Sequence, residues 1–241
     1  MKIGFVFYGI AEGRDLRTGY EYDFRHCWPN IKRMLVNPFV EKGHEAINFV
    51  STYNVTGETE KDLIDVYNPK NIFYSEKNES DSFTTKSALF HCIENEDLDA
   101  VVATRMSIHF SKIIANENVD LNKINLLFPE GDGWWERFGF SCDGLHIWNH
   151  RYTKIVRDSM RENYGWPRGK QYPDTHGLLN FLLKRVPESE INLVSTTPEI
   201  SNCNSFYTLC RPAEFGHVHF HQEVAERFKD HEFFRGKNNE K

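Results

Sequence analysis

Lys2-Ile3-Gly4-Phe5-Val6-Phe7-Tyr8-Gly9 opens the chain as an unbroken apolar run rich in β-formers and closed by a glycine. Such a run reads as a strand buried on both faces, the pattern of a parallel sheet packed between layers. A polar loop with Glu12, Gly13, Arg14 and Asp15 follows. Between Asp23 and Lys42, Phe24, Trp28, Ile31, Met34, Leu35 and Phe39 recur at helical spacing, with Pro29 near the start and Gly43 as a stop. Glu45 to Tyr53 reads as the second strand, so the first fifty residues spell β-loop-α-β.

The unit repeats downstream. Thr59 to Tyr67 forms a short helix ended by Pro69, Asn71 to Ser75 a brief strand, Ser82 to Asn95 a helix, and Leu98 to Thr104 a buried strand. This alternation predicts a mainly parallel, layered α/β sheet whose ligand lies beyond the carboxyl ends of the strands. Those ends carry Tyr8 and Gly9 with the Arg14 loop, Thr52 and Tyr53, and Thr104 and Arg105. After Arg105 the alternation weakens. Strands are expected at Ile124 to Phe128 and Asp143 to Trp148, helices at Arg151 to Asn163 and His176 to Arg185, and two strands around a turn at Ile191 to Ser195 and Ser205 to Leu209.

Composition narrows the function classes. The 241 residues carry 29 Lys+Arg against 35 Asp+Glu, a net charge of −6, and 14 % are aromatic. That is too apolar and too aromatic for a disordered chain, and the lack of a basic block argues against nucleic acid as the partner. The apolar opening is too short to span a bilayer and lacks a signal-peptide cleavage pattern, so no membrane span is expected. Five widely spaced cysteines without a C-x-x-C pair fit a reducing, cytoplasmic setting.

Several short motifs then fall in a familiar order. After the first strand and its Arg loop come Asn37-Pro38-Phe39, Gly43-His44-Glu45, Phe49-Val50-Ser51-Thr52-Tyr53, Tyr67-Asn68-Pro69-Lys70 and Ala103-Thr104-Arg105. Over about residues 2 to 150 this order resembles small GT-A-type, sugar-nucleotide-dependent glycosyltransferases of polysaccharide-building pathways, including those of large algal DNA viruses. The resemblance implies a GT-A-like (Rossmann-like) α/β fold: a mainly parallel central sheet flanked by helices, with an irregular acceptor-binding second half. It implies a single domain over 1–241, with about 1–105 as the nucleotide-binding half, about 106–222 as the acceptor half, and 223–241 as a charged C-terminal tail. It also implies a nucleoside-diphosphate sugar donor, a carbohydrate acceptor, and a divalent metal, Mn²⁺ or Mg²⁺, held by an acidic motif at the end of a central strand.

The chain departs from that pattern at the metal. The expected carboxylate position holds Ser107, in Arg105-Met106-Ser107-Ile108-His109, while Asp97-Leu98-Asp99 precedes the strand. Three readings stay open: a metal held by other groups, metal-independent transfer, or an inactive sugar-binding protein. Without a metal, cations must meet the diphosphate, and Arg14 and Arg105 are the candidates because guanidinium pairs bidentately with phosphate. Tyr8, Gly9, Thr52 and Tyr53 complete the expected nucleotide-sugar site. For the base that deprotonates an acceptor hydroxyl, Asp143 is the first candidate. Asp174 is a base or the cap of the following helix, and His176 a base, a metal ligand or a structural histidine. In the loop Glu130-Gly131-Asp132-Gly133-Trp134-Trp135-Glu136, Asp132, Trp134 and Trp135 form an acceptor platform or cover the core. A rival reading rests on His217, His219 and His221, which a strand would place on one face as ligands of a metal-binding protein or metal-dependent hydrolase. Within the transferase reading, His219 is a late-chain metal ligand.

Overall fold

The first strand, β1 (Lys2–Tyr8), lies inside a seven-stranded sheet and is buried from Ile3 onward, which is why nothing polar interrupts it. The computed structural model describes residues 1–14, 21–53, 55, 57–75, 90–129, 144–162, 178–197 and 205–209, with backbone alone at 14, 21, 161, 162, 179, 180, 208 and 209.

Beyond β1, β2 (Glu12–Arg14) and β3 (Glu21–Asp23) pair antiparallel where the sequence predicts only a polar loop. Asp23 then caps α1 (Phe24–Ile31) by accepting the Arg25 N–H at 2.9 Å. The helix continues through a π-helical turn (Lys32–Val36) into α2 (Asn37–Glu41). An unbroken α-helix would aim the Pro38 ring at the Met34 carbonyl. The π turn, closed by Asn37 N–H on Lys32 O, widens the helix just ahead of that proline. β4 (Glu45–Tyr53) returns parallel to β1, and α3 (Glu58–Tyr67) leads to β5 (Asn71–Ser75) at the edge. Asn68 ends α3 in the left-handed region at φ 42°, ahead of Pro69.

The chain then crosses back. β6 (Ala100–Arg105) joins the other side of β1, again parallel, and β9 (Leu145–Asn149) pairs antiparallel with both β6 and β8 (Ile124–Leu126). β10 (Ile191–Leu193) runs parallel to β8, giving the order β10-β8-β9-β6-β1-β4-β5. The sheet is thus mainly parallel, with one reversed strand, as the first hundred residues predict.

Side chains alternate between two cores. Phe5, Phe7, Val50 and Val102 meet α1, α2 and the short strand β7 (Ile108–Phe110) on one face. Val6, Tyr8, Val101, Ala103 and Trp148 meet α4 (Thr153–Glu162) and α5 (Leu178–Leu182) on the other.

One expectation fails here. The segments at 191–195 and 205–209 are not neighbours around a turn: β10 edges the main sheet, while β11 (Tyr207–Leu209) pairs antiparallel with β7 in a separate two-stranded sheet. Two buried aromatics decide it, because Phe206 and Tyr207 pack on Phe128, with Tyr207 also on Phe110, and so carry the segment to β7.

Candidate active site at the carboxyl edge of the sheet

The order of strand addition reverses at β1: from β1 the chain builds outward to β4 and β5, then returns to place β6 on the far side of β1, parallel to it. In an open α/β sheet, that switch point leaves a crevice beyond the carboxyl ends of the two strands. The residues there are Tyr8 and Gly9 from β1 and Arg105, Met106 and Ser107 from β6. Tyr8 and Arg105 are register partners, and by alternation both lie on the face of Val6, Val101 and Ala103. Met106 N–H donates to Tyr8 O at 2.9 Å, so the turn after β6 is pinned to the end of β1. Met106 is fully buried, leaving Arg105 and Ser107 half-buried at the rim.

Gly9 is required for its backbone. At φ +113° it adopts a conformation that L side chains rarely reach, and among the described residues an added Cβ would meet nothing within 4 Å. Beneath Gly9, Thr52 is fully buried and its hydroxyl accepts the Ala11 N–H at 3.1 Å, while Gly9 N–H donates to Ser51 O at 3.1 Å. Thr52 thus shapes the loop after β1 from below. Tyr53, the last residue of β4, is half-buried at the same edge.

Arg14 ends β2, and its placement depends on Arg25, a residue that sequence reasoning misses. The Arg25 guanidinium donates to Asp62 at 2.7 Å, to Asp23 at 3.1 Å and to Glu12 at 3.2 Å. Partial burial opposes its charge, but hydrogen bonds to Asp62 and Glu12 and the nearby Asp23 outweigh that and hold its pKa above the ordinary value. The β2–β3 pair is thereby tied to α1 and to α3. Of the three acids, only Asp23 carries a local signal, as the cap before an apolar-periodic segment.

The reversed strand β9 brings the second half of the chain to the same edge. Because β9 runs antiparallel to β6, its first residues lie beside the last ones of β6, with Leu145 opposite Thr104. Gly144 O accepts the Thr104 hydroxyl at 3.1 Å and the Arg105 N–H at 3.4 Å. A Cβ on Gly144 would come within 2.5 Å of the Tyr207 ring, so only glycine fits between β6 and the β7–β11 pair. The carboxyl end of β8 and Gly144 both lie at this edge, and the segment 130–143 comes between them in sequence.

Asp132, Trp134, Trp135 and Asp143 lie in that segment, outside the described residues, as do Asp174, His176, His217, His219 and His221. Of the expected site, the structure brings together Tyr8, Gly9, Thr52, Tyr53 and Arg105, with the Arg14 backbone in the adjoining β2. At the opposite end of the sheet, Asp97 pairs with Lys2, while the Asp99 carboxylate accepts the Lys2 N–H at 2.7 Å. The Asp-x-Asp triplet therefore fastens the start of β1. Among the described residues, no three His, Cys, Asp or Glu side chains cluster as metal ligands, and no helix is long and apolar enough to cross a membrane.

No family model and no curated protein matches the chain by sequence. By structure, it is similar to galactosyltransferase LgtC in complex with donor and acceptor sugar analogs, with a TM-score of 0.52 and 13 % identity over 98 % of this chain and 100 % of that one. An active-site mutant of LgtC aligns with a TM-score of 0.47 and 13 % identity over 80 % of this chain and 72 % of the other. The first of these likenesses, with the strand order above, shows a GT-A-like, Rossmann-type fold.

Proposed function

We propose that the chain is a glycosyltransferase that moves a sugar from a nucleoside-diphosphate sugar to a carbohydrate acceptor. The observation that carries this reading is the switch point between β1 and β6 of a GT-A-like sheet, where Arg105 is the register partner of Tyr8 and Gly9 follows at positive φ. In the reaction, the acceptor oxygen bonds to the anomeric carbon. The bond from that carbon to the diphosphate breaks, and its electron pair stays on the diphosphate. The acceptor proton passes to a base, for which Asp143 is proposed because it directly precedes Gly144 at the β6 edge. Asp174 and His176 are the further candidates.

Arg14 and Arg105 are proposed to meet the diphosphate, Tyr8, Gly9, Thr52 and Tyr53 to shape the nucleotide-sugar site, and Asp132, Trp134 and Trp135 to hold the acceptor. Polysaccharide building in a cytoplasmic setting, as in the algal-virus enzymes that the sequence resembles, is the proposed context. The test is a thermal-shift panel of UDP-, GDP-, CDP- and dTDP-sugars, followed by an assay for released nucleoside diphosphate. A ligand at a hundred times its Kd stabilises by about 2.7 kcal/mol, which for a chain of this size raises the melting midpoint by roughly 5–10 °C. No shift with any donor would refute the proposal. A shift without nucleotide release would indicate a sugar-nucleotide-binding protein.

A further inference from the structure

We infer, building on that reading, that Thr104 is the positioning residue for the acceptor side of the site: its hydroxyl fixes where the main chain enters β9, one peptide bond after the proposed base Asp143. Thr104 is fully buried near the end of β6, and its hydroxyl donates to Gly144 O at 3.1 Å. The same carbonyl accepts the Arg105 N–H at 3.4 Å, a long bond for an amide donor. Register pairing of β6 with β9 ends at Thr104 and Leu145, so the hydroxyl carries the attachment one residue past the ladder.

Gly144 has no side chain through which packing could hold it. Its other side is closed by the late chain: a Cβ there would lie 2.5 Å from the Tyr207 ring and 2.9 Å from Ile108 Cδ1. Tyr207 is itself seated, by the pairing of β11 with β7 and by ring contacts with Phe110 and Phe128. Gly144 therefore sits between a hydroxyl on β6 and a ring on β11.

The nucleotide side is held by other contacts. Ala11 N–H donates to the Thr52 hydroxyl, Gly9 N–H to Ser51 O and Met106 N–H to Tyr8 O. None of these three bonds involves Gly144, so removing the Thr104 hydroxyl loosens the acceptor side and leaves the loop after β1 in place. In the transfer, the acceptor oxygen bonds to the anomeric carbon, its proton passes to the Asp143 carboxylate, and the diphosphate leaves with the bonding pair. Thr104 exchanges no atom in this step. It acts by holding the main chain from which the base extends.

The test follows nucleoside diphosphate release from UDP-, GDP-, CDP- and dTDP-glucose with glucose, galactose, mannose and N-acetylglucosamine as acceptor probes, beside nucleotide affinity by thermal-shift titration with UDP, GDP, CDP and dTDP. Thr104→Val keeps the shape and removes the donor. It should lower kcat about 10- to 100-fold, the effect of a slightly misplaced reacting group, with nucleotide affinity unchanged. Thr104→Ser keeps the donor and loses the methyl, and should recover most of the turnover. In Asp143→Asn, Thr104→Val should cost nothing further, because both changes act on one step. Full turnover by Thr104→Val or by Asp143→Asn would overturn the inference, as would additive losses, equal damage from Thr104→Ser, or a matching fall in nucleotide affinity. Each of those results leaves the glycosyltransferase reading standing, whereas wild-type protein without turnover would overturn both.

Discussion

Asn30→Ala tests how the strand that follows the candidate site is held. In α1, Asn30 is buried, and its side-chain amide makes two hydrogen bonds with the main chain of β7. Its Nδ2 donates to Phe110 O at 3.0 Å, and its Oδ1 accepts the Phe110 N–H at 2.6 Å. Ladder geometry explains the need. Ser111 N–H donates to Phe206 O at 2.8 Å, so by antiparallel alternation the main-chain groups of Phe110 point away from β11. Asn30 thus stands in for a neighbouring strand. Alanine would leave one buried donor and one buried acceptor without it, at about 1–3 kcal/mol each, so the expected loss is about 2–6 kcal/mol. Urea denaturation measures it as a lower midpoint at unchanged slope. A loss below about 1 kcal/mol would refute the argument, because it would mean that water or another group satisfies Phe110 equally well. Asn30→Asp sharpens the test: a carboxylate keeps an acceptor for the N–H but cannot donate to the carbonyl. This variant should be destabilised at neutral pH and regain stability on acidification, as the protonated carboxyl becomes a donor.

Arg25→Ala should cost about 1–2 kcal/mol, since the side chain is mostly shielded and three carboxylates lose their shared partner. Faster amide exchange at 12–14 and 21–23 would show the β2–β3 pair loosening, whereas unchanged exchange there would contradict its tethering role. Tyr67→Phe should be neutral or stabilising by up to about 1 kcal/mol. Its fully buried hydroxyl has no hydrogen-bond partner among the described residues, and burial, with a smaller contribution from Cys27, pushes its pKa well above the usual phenol value. A clear loss of stability in a chemical melt would show that the hydroxyl is satisfied.

His44 predicts a pH dependence. Desolvation first, then the charges of the amino terminus and Lys42, lowers its pKa below the ordinary value. The unfolded chain therefore binds the proton more readily than the native one, so stability falls as pH drops through the ordinary histidine range of about 6.5 and below. His44→Gln should flatten that limb of the pH–stability curve, and an unchanged slope would exclude His44 as its source.

Much of the fold is legible in the first hundred residues because each signal there is local. The run from Ile3 to Tyr8 must be buried on both faces, Pro69 must end α3, and the glycine after β1 permits a positive φ. The β2–β3 pair is not legible, because Glu12, Asp23 and Asp62 converge on Arg25 only through space. The two late strands show the same limit. Their short apolar patterns are alike, and pairing is chosen by Phe206 and Tyr207 against distant aromatics.

For the candidate site, residue types and strand ends are enough to single out Tyr8, Gly9, Thr52, Tyr53 and Arg105, since a buried strand followed by a polar turn marks the ligand edge of an α/β sheet. Periodicity and punctuation, which depend on neighbours in the chain, carry that much. Only the tertiary structure decided that β6 lies against β1, that Tyr8 and Arg105 share a face, and that Asp97 and Asp99 fasten Lys2 at the opposite end of the sheet. Strand order and register are properties of packing between segments far apart in sequence, and no local pattern encodes which neighbour a buried strand will take.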